Sequence, residues 1–126
     1  MNERRQLPRL RLRRKVWLQW AGGHIAELWT HDLSGAGLQV LSPVRADEGD
    51  EFNLLLKVPD HDDTFVDVQA RVQVVHCVYD SSAGQFRTGM RFLAFSGEGE
   101  TLYRQYLDHQ LHCRYESRSR RSLVLR

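Results

Sequence analysis

The sequence has only two cysteines and three prolines in 126 residues. Cys77 and Cys113 stand far apart, with neither a CxxC pair nor a partner at metal-ligand spacing, which excludes a disulfide framework and a structural zinc site. No apolar run approaches the roughly 18–20 residues of a membrane span, and no apolar stretch with a small-residue cleavage site follows the charged start, so membrane insertion is not expected and a cytoplasmic location is. Ser34 lacks the GxSxG setting of a hydrolase nucleophile, and Gly35-Ala36-Gly37 lacks the lysine and helix start of a phosphate-binding loop. His109, His112 and Cys113 cluster without a fourth ligand. No catalytic constellation and no metal or cofactor site emerges, and an enzyme is not expected.

What is present is charge, unevenly placed. The net charge is only +2, yet residues 1–15 carry seven basic side chains against one acidic, residues 16–112 six against fourteen, and residues 113–126 five against one. Positive charge therefore sits at both ends of an acidic middle. At 41% hydrophobic and 27% charged residues, the chain has the composition of one globular domain with a modest core. No internal repeat is found.

Between the basic ends, apolar residues recur two apart and turn residues punctuate them. Val16, Leu18 and Trp20 open a strand that Ala21-Gly22-Gly23 turns back, and a second strand spans Ile25 to Thr30. Leu38, Val40 and Leu41 follow the Asp32 to Gly37 turn, and further strands are expected over Phe52–Val58, Phe65–Val78 with a bulge near Val74-Val75, and Phe86–Phe95. Pro59 to Asp63 is an acidic loop. Trp17, Trp20 and Trp29 are expected to pack into the core. Six strands with short connections point to a closed antiparallel barrel, because closure removes exposed edges. From Glu98 the spacing of Leu102, Tyr103, Tyr106, Leu107 and Leu111 becomes helical, which predicts one closing helix. The expected organisation is a flexible basic arm over 1–15, a barrel with its helix over 16–113, and a basic, disordered tail over 114–126.

Two short patterns remain unabsorbed by packing: Arg5-Gln6-Leu7-Pro8-Arg9, preceded by Arg4, and Asp32-Leu33-Ser34-Gly35-Ala36-Gly37. In order, spacing and placement they resemble the paired RxxxR and [D/N]xSxxG signature of the PilZ domain family. Thr88-Gly89-Met90-Arg91-Phe92 followed by a terminal helix resembles the family's last strand and closing helix, so the likeness covers nearly the whole chain. It implies a mainly β fold, a six-stranded antiparallel split barrel with a C-terminal α-helix, and a bacterial receptor for cyclic di-GMP.

The chemistry suits that ligand. An arginine fork pairs bidentately with phosphate or with the O6 and N7 edge of guanine, so Arg5 and Arg9 can close over two phosphates and two guanines, with Pro8 limiting the entropy lost. The Asp32 carboxylate can accept from guanine N1 and N2, the Ser34 hydroxyl can bond the ligand or the turn backbone, and Gly37 is expected to supply a special backbone angle or close ligand approach. The resemblance places His76 where relatives lay an aromatic side chain against guanine, and Arg4 before the RxxxR implies an intercalated pair of ligand molecules. With no attached output domain in the sequence, the ligand-ordered arm is expected to act through an unidentified protein partner. Two other readings are a nucleic-acid-binding barrel, against which the acidic middle argues, and a ligand-free scaffold of the same fold, which the intact motifs disfavour.

Overall fold

The computed structural model describes residues 9–20 and 22–124, with residue 61 and residues 114–124 described by backbone alone. Seven strands and one helix follow in order: β1 (Arg9–Leu10), β2 (Lys15–Gln19), β3 (Ile25–Ser34), β4 (Gly37–Ser42), β5 (Glu51–Pro59), β6 (Phe65–Asp80), β7 (Gln85–Phe95) and α1 (Gly99–Val124). A short 3-10 turn, His61–Asp63, occupies the acidic loop. All pairings are antiparallel. The sheet runs β1-β3-β2-β5-β6-β7-β4, and a further β3–β4 pairing closes it. The six expected strands thus form a closed barrel, with β1 added at one edge of β3 and a single C-terminal helix.

Period-2 patterning fills the interior. Val16 and Leu18 of β2, Leu54, Leu56 and Val58 of β5, Val68, Val72 and Val74 of β6 and Met90 of β7 form one buried core with Leu33, Leu38 and Val40. Each such side chain is worth roughly 1.5–3 kcal/mol on burial. The tryptophans stay out of the core, contrary to expectation: Trp17 lies between Val16 and Leu18 and cannot share their face, and Trp20, one residue past the end of β2, and Trp29 are each 40% exposed. Trp29 instead receives the Arg13 guanidinium at 4.7 Å and Lys15 Nζ at 5.3 Å. At the Ser42 end of β4, Trp20, Phe52 and Val44 help line an apolar hollow of about 700 Å³.

Helix α1 closes the other side of the core through Tyr103, Tyr106 and Leu107, with Tyr103 wedged against Phe92 and Phe95 at ring separations of 4.9 and 5.8 Å. The helical backbone continues to Val124, past the boundary expected at residue 113, in a stretch with no proline or glycine to stop it. No helix is long and apolar enough to cross a membrane among the described residues.

Of the arm expected over residues 1–15, residues 9–15 are anchored. Arg9 pairs with Ser34 and Leu10 with Leu33, Leu10 is buried in the core and Leu12 packs on it. Buried Thr30 clamps the link to β2, since its hydroxyl donates to the Leu12 carbonyl at 2.6 Å and accepts from the Arg14 amide at 2.8 Å. Two leucines among the arginines supply the apolar anchor that the charge of the segment obscures.

Candidate functional site

Two β-bulges build the site. Between Thr30 and Asp32 the β3–β4 register slips by one residue, and between Val74 and His76 the β6–β7 register does the same. Strict alternation would put Asp32 on the face of Thr30, and His76 on the face of Val74, both of which point inward. The extra residue in each strand reverses that parity. One row then crosses four strands, with Asp32 opposite Gln39, Gln39 opposite Gly89, and Gly89 opposite His76. The adjacent row, Leu33, Leu38, Met90 and Val74, stays in the core. The bulge expected near Val74-Val75 is present, and the one at His31 left no composition signal.

Around Asp32 the polar groups are mutually paired. Its side chain is 7% exposed, while Arg9, brought in by β1, is 59% exposed and places Nη1 3.6 Å from Asp32 Oδ1. His31 Nδ1 lies 3.0 Å from Asp32 Oδ2. The Gln39 carboxamide sits between them, and the orientation that satisfies both neighbours has its nitrogen donate to Asp32 Oδ2 at 3.3 Å and its oxygen accept from Arg9 Nη1 at 3.2 Å. The oxygen end is also 3.5 Å from His76 Nε2. The His76 ring lies where a side chain on Gly89 would stand, so the imidazole covers bare backbone.

The turn from β3 to β4 is held from inside. The Ser34 hydroxyl donates to the Gly37 carbonyl and accepts from the Gly37 amide, both at 3.3 Å. Gly37 does not have a left-handed backbone, which corrects the expected special angle. It is required because a Cβ there would run into the Met90 carbonyl of β7. The buried Tyr103 hydroxyl donates to the Ser34 carbonyl at 2.7 Å, tying α1 to the turn. Burial, with smaller contributions from Tyr106 and Asp32, pushes the Tyr103 hydroxyl well above its ordinary value.

Beside this row lies an open cleft of about 620 Å³, lined among others by Arg9, Gln39, His76, Gly89, Arg91 and Arg104. Arg91 donates twice to Gln73 Oε1, at 3.0 and 2.6 Å, and Arg104 pairs with Glu100 at 3.1 Å. Three guanidinium groups therefore rim a cleft floored by Gly89 and His76, a setting suited to a planar, anionic ligand. The structure brings together Arg9, Asp32, Ser34, Gly37 and His76, while Arg4 and Arg5 lie outside the described residues. Gln39 and Arg104 were not singled out from the sequence, and Gly89 and Arg91 entered only as part of the last-strand pattern, not as site residues. A polar Gln39 between Leu38 and Val40 signals an outward side chain, but not what faces it.

The sequence profile of the PilZ domain matches residues 3–109. No curated protein matches the chain. Among solved structures, the PilZ domain of Escherichia coli YcgR with c-di-GMP superposes with a TM-score of 0.60 at 20% identity, covering 90% of this chain and 97% of that one. Bacillus subtilis inhibitor of motility, MotI/DgrA, gives 0.70 at 14% identity over 85% of this chain and 51% of its own. The K. pneumonia MrkH–c-di-GMP complex gives 0.61 at 13% identity over 88% and 53%. The chain thus spans about half the length of MotI/DgrA and MrkH and nearly all of the isolated YcgR domain.

Proposed function

This chain belongs to the PilZ domain family, and from that premise we infer that it is a receptor for cyclic di-GMP that acts as an adaptor and not as a catalyst. One observation carries the reading: Arg9 of the RxxxR pattern stands 3.6 Å from Asp32 of the DxSxxG pattern, so segments 23 residues apart in sequence meet at one cleft. The similar YcgR and MrkH structures hold c-di-GMP, which supports the choice of ligand.

Binding is then an exchange of partners. Arg9, His31 and Gln39 surround the Asp32 carboxylate. A cyclic dinucleotide in the cleft offers phosphate oxygens and the guanine O6 and N7 to the Arg9 fork, and guanine N1–H and N2–H to the carboxylate that Arg9 leaves. Arg4 and Arg5 precede β1 in sequence and join Arg9 as proposed contacts to phosphate and guanine, for one ligand or an intercalated pair. His76 offers its ring face to a base. Closing the arm changes the surface presented to a protein partner, which converts binding energy into a signal. At about 1.5–3 kcal/mol per charge-assisted hydrogen bond, a few such contacts reach the roughly 8 kcal/mol of micromolar affinity after ordering costs.

Isothermal titration calorimetry with cyclic di-GMP, GTP and cyclic di-AMP on the wild type and Arg9→Ala tests this. Saturable binding of cyclic di-GMP alone is expected, reduced at least tenfold in the variant, whose melting temperature stays close to the wild type. A folded wild type that binds none of the three contradicts the reading.

A further inference from the structure

The row across the barrel contains a side chain outside both sequence motifs, Gln39, and its placement carries information about the base. Resting on the receptor reading above, we propose that Gln39 is a specificity-determining residue: its carboxamide N–H reads guanine O6 beside the carboxylate that takes N1–H and N2–H.

The geometry fixes which way the amide points. Gln39 lies directly opposite Asp32, and the bulge at His31 puts both side chains on one face. Its nitrogen is 3.3 Å from the Asp32 carboxylate and its oxygen 3.2 Å from the Arg9 guanidinium. Turning the amide over would set its carbonyl against an anion and its N–H against a cation, and after Arg9 turns to the ligand the Asp32 carboxylate still holds the N–H end toward itself. A primary amide has two N–H donors. One is taken by Asp32 Oδ2, and the second remains for a ligand in the cleft that Gln39 lines.

Once Arg9 turns from Asp32 to the ligand, as the receptor reading requires, the Gln39 N–H and the two Asp32 oxygens present donor, acceptor, acceptor. The Watson–Crick edge of guanine reads acceptor, donor, donor along O6, N1–H and N2–H, and meets it at every position. Adenine presents an N6 donor to the Gln39 donor and an N1 lone pair to the carboxylate. Both contacts repel, and a buried carboxylate left unpaired adds to the cost. Asp32 alone can recognise two donors, and the neighbouring amide supplies the opposite sign that completes the pattern.

Calorimetry on the full chain with cyclic di-GMP, comparing wild type, Gln39→Ala and Gln39→Glu, tests the assignment. A second ligand, the cyclic dinucleotide with 2-aminopurine in place of guanine, keeps the N2 amine but has neither O6 nor N1–H, so each variant is compared with the affinity of the wild type for that same ligand. Gln39→Ala is expected to weaken cyclic di-GMP about tenfold, and the 2-aminopurine ligand by less than twofold. Gln39→Glu, of the same shape but with no N–H to give, is expected to bind cyclic di-GMP more weakly than Gln39→Ala. If Gln39 only held Arg9 in place, Glu would serve at least as well as Ala and both ligands would suffer alike, and either result overturns the proposal. A wild type that binds no cyclic dinucleotide removes the receptor reading and this proposal together. A wild type that binds while Gln39→Ala binds equally well removes the proposal alone.

Discussion

Gly37 and Gly89 show two different reasons for a missing side chain at neighbouring positions of one sheet. A methyl group on Gly37 would strike the Met90 carbonyl, backbone that can give way only by opening the β4–β7 pairing. Gly37→Ala is therefore expected to lower stability by about 3 kcal/mol in urea denaturation. A methyl on Gly89 has its three nearest contacts on the His76 ring, the movable end of a side chain. Gly89→Ala should keep stability within about 1 kcal/mol and still weaken cyclic di-GMP binding, because it pushes the imidazole off the floor of the cleft. Equal loss of stability in the two variants would contradict this division.

The elements were largely legible before the structure, and the orientation of the site was not. Val16 and Leu18, or Val66 to Val74, give strands by alternation alone, and Leu102 to Leu111 give a helix by spacing. The bulges at His31 and Val75 reverse which face Asp32 and His76 present, and a bulge is set by pairing with a distant strand, which local pattern does not encode. The same limit hid β1, where Leu10 and Leu12 become an anchor only once Thr30 and Leu33 are beside them. Motif spacing, by contrast, located the β3–β4 connection, although the turn is only Gly35-Ala36: β3 runs past the expected end at Thr30 to include Asp32 and Ser34, and Gly37 opens β4.

Helix α1 and the turn are linked by one hydrogen bond, Tyr103 to the Ser34 carbonyl. Tyr103→Phe leaves that buried carbonyl without this donor and is expected to cost about 1–2 kcal/mol at neutral pH, read from the urea midpoint. The pH dependence has a definite sign. Burial raises the Tyr103 hydroxyl in the folded chain above its ordinary value near 10, so the folded state retains a proton that the unfolded state releases. Its contribution is complete below about pH 10 and is lost as pH rises above that. Urea midpoints measured from pH 8 to 11 should fall more steeply for wild type than for Tyr103→Phe. Parallel curves would mean that Tyr103 ionises as easily folded as unfolded.

Across the molecule the charges and the core divide the labour. The acidic middle forms the barrel, and the arginines of the N-terminal segment, β7 and α1 supply Arg9, Arg91 and Arg104 to one cleft. Among the described side chains, the buried contacts of α1 through Tyr103, Tyr106 and Leu107 all precede residue 113. A chain ending at Cys113 is therefore expected to retain its stability within about 1 kcal/mol and its cyclic di-GMP affinity, as followed by thermal melting and calorimetry. Loss of either would give the basic C-terminal segment a part in the fold or in the site.

The exchange of Asp32 from Arg9 to a guanine is most directly followed by NMR, titrating cyclic di-GMP into the ¹⁵N-labelled chain. The largest shifts should fall on the Arg9 Nε–H, the Gln39 side-chain amide, the Gly89 amide and the His76 ring, while the Trp20 indole and the Phe52 amide, at the opposite hollow, stay in place. Saturable binding that instead moves Trp20 and Phe52 and leaves Arg9 and Gln39 unchanged would contradict the exchange and put the ligand elsewhere on the barrel.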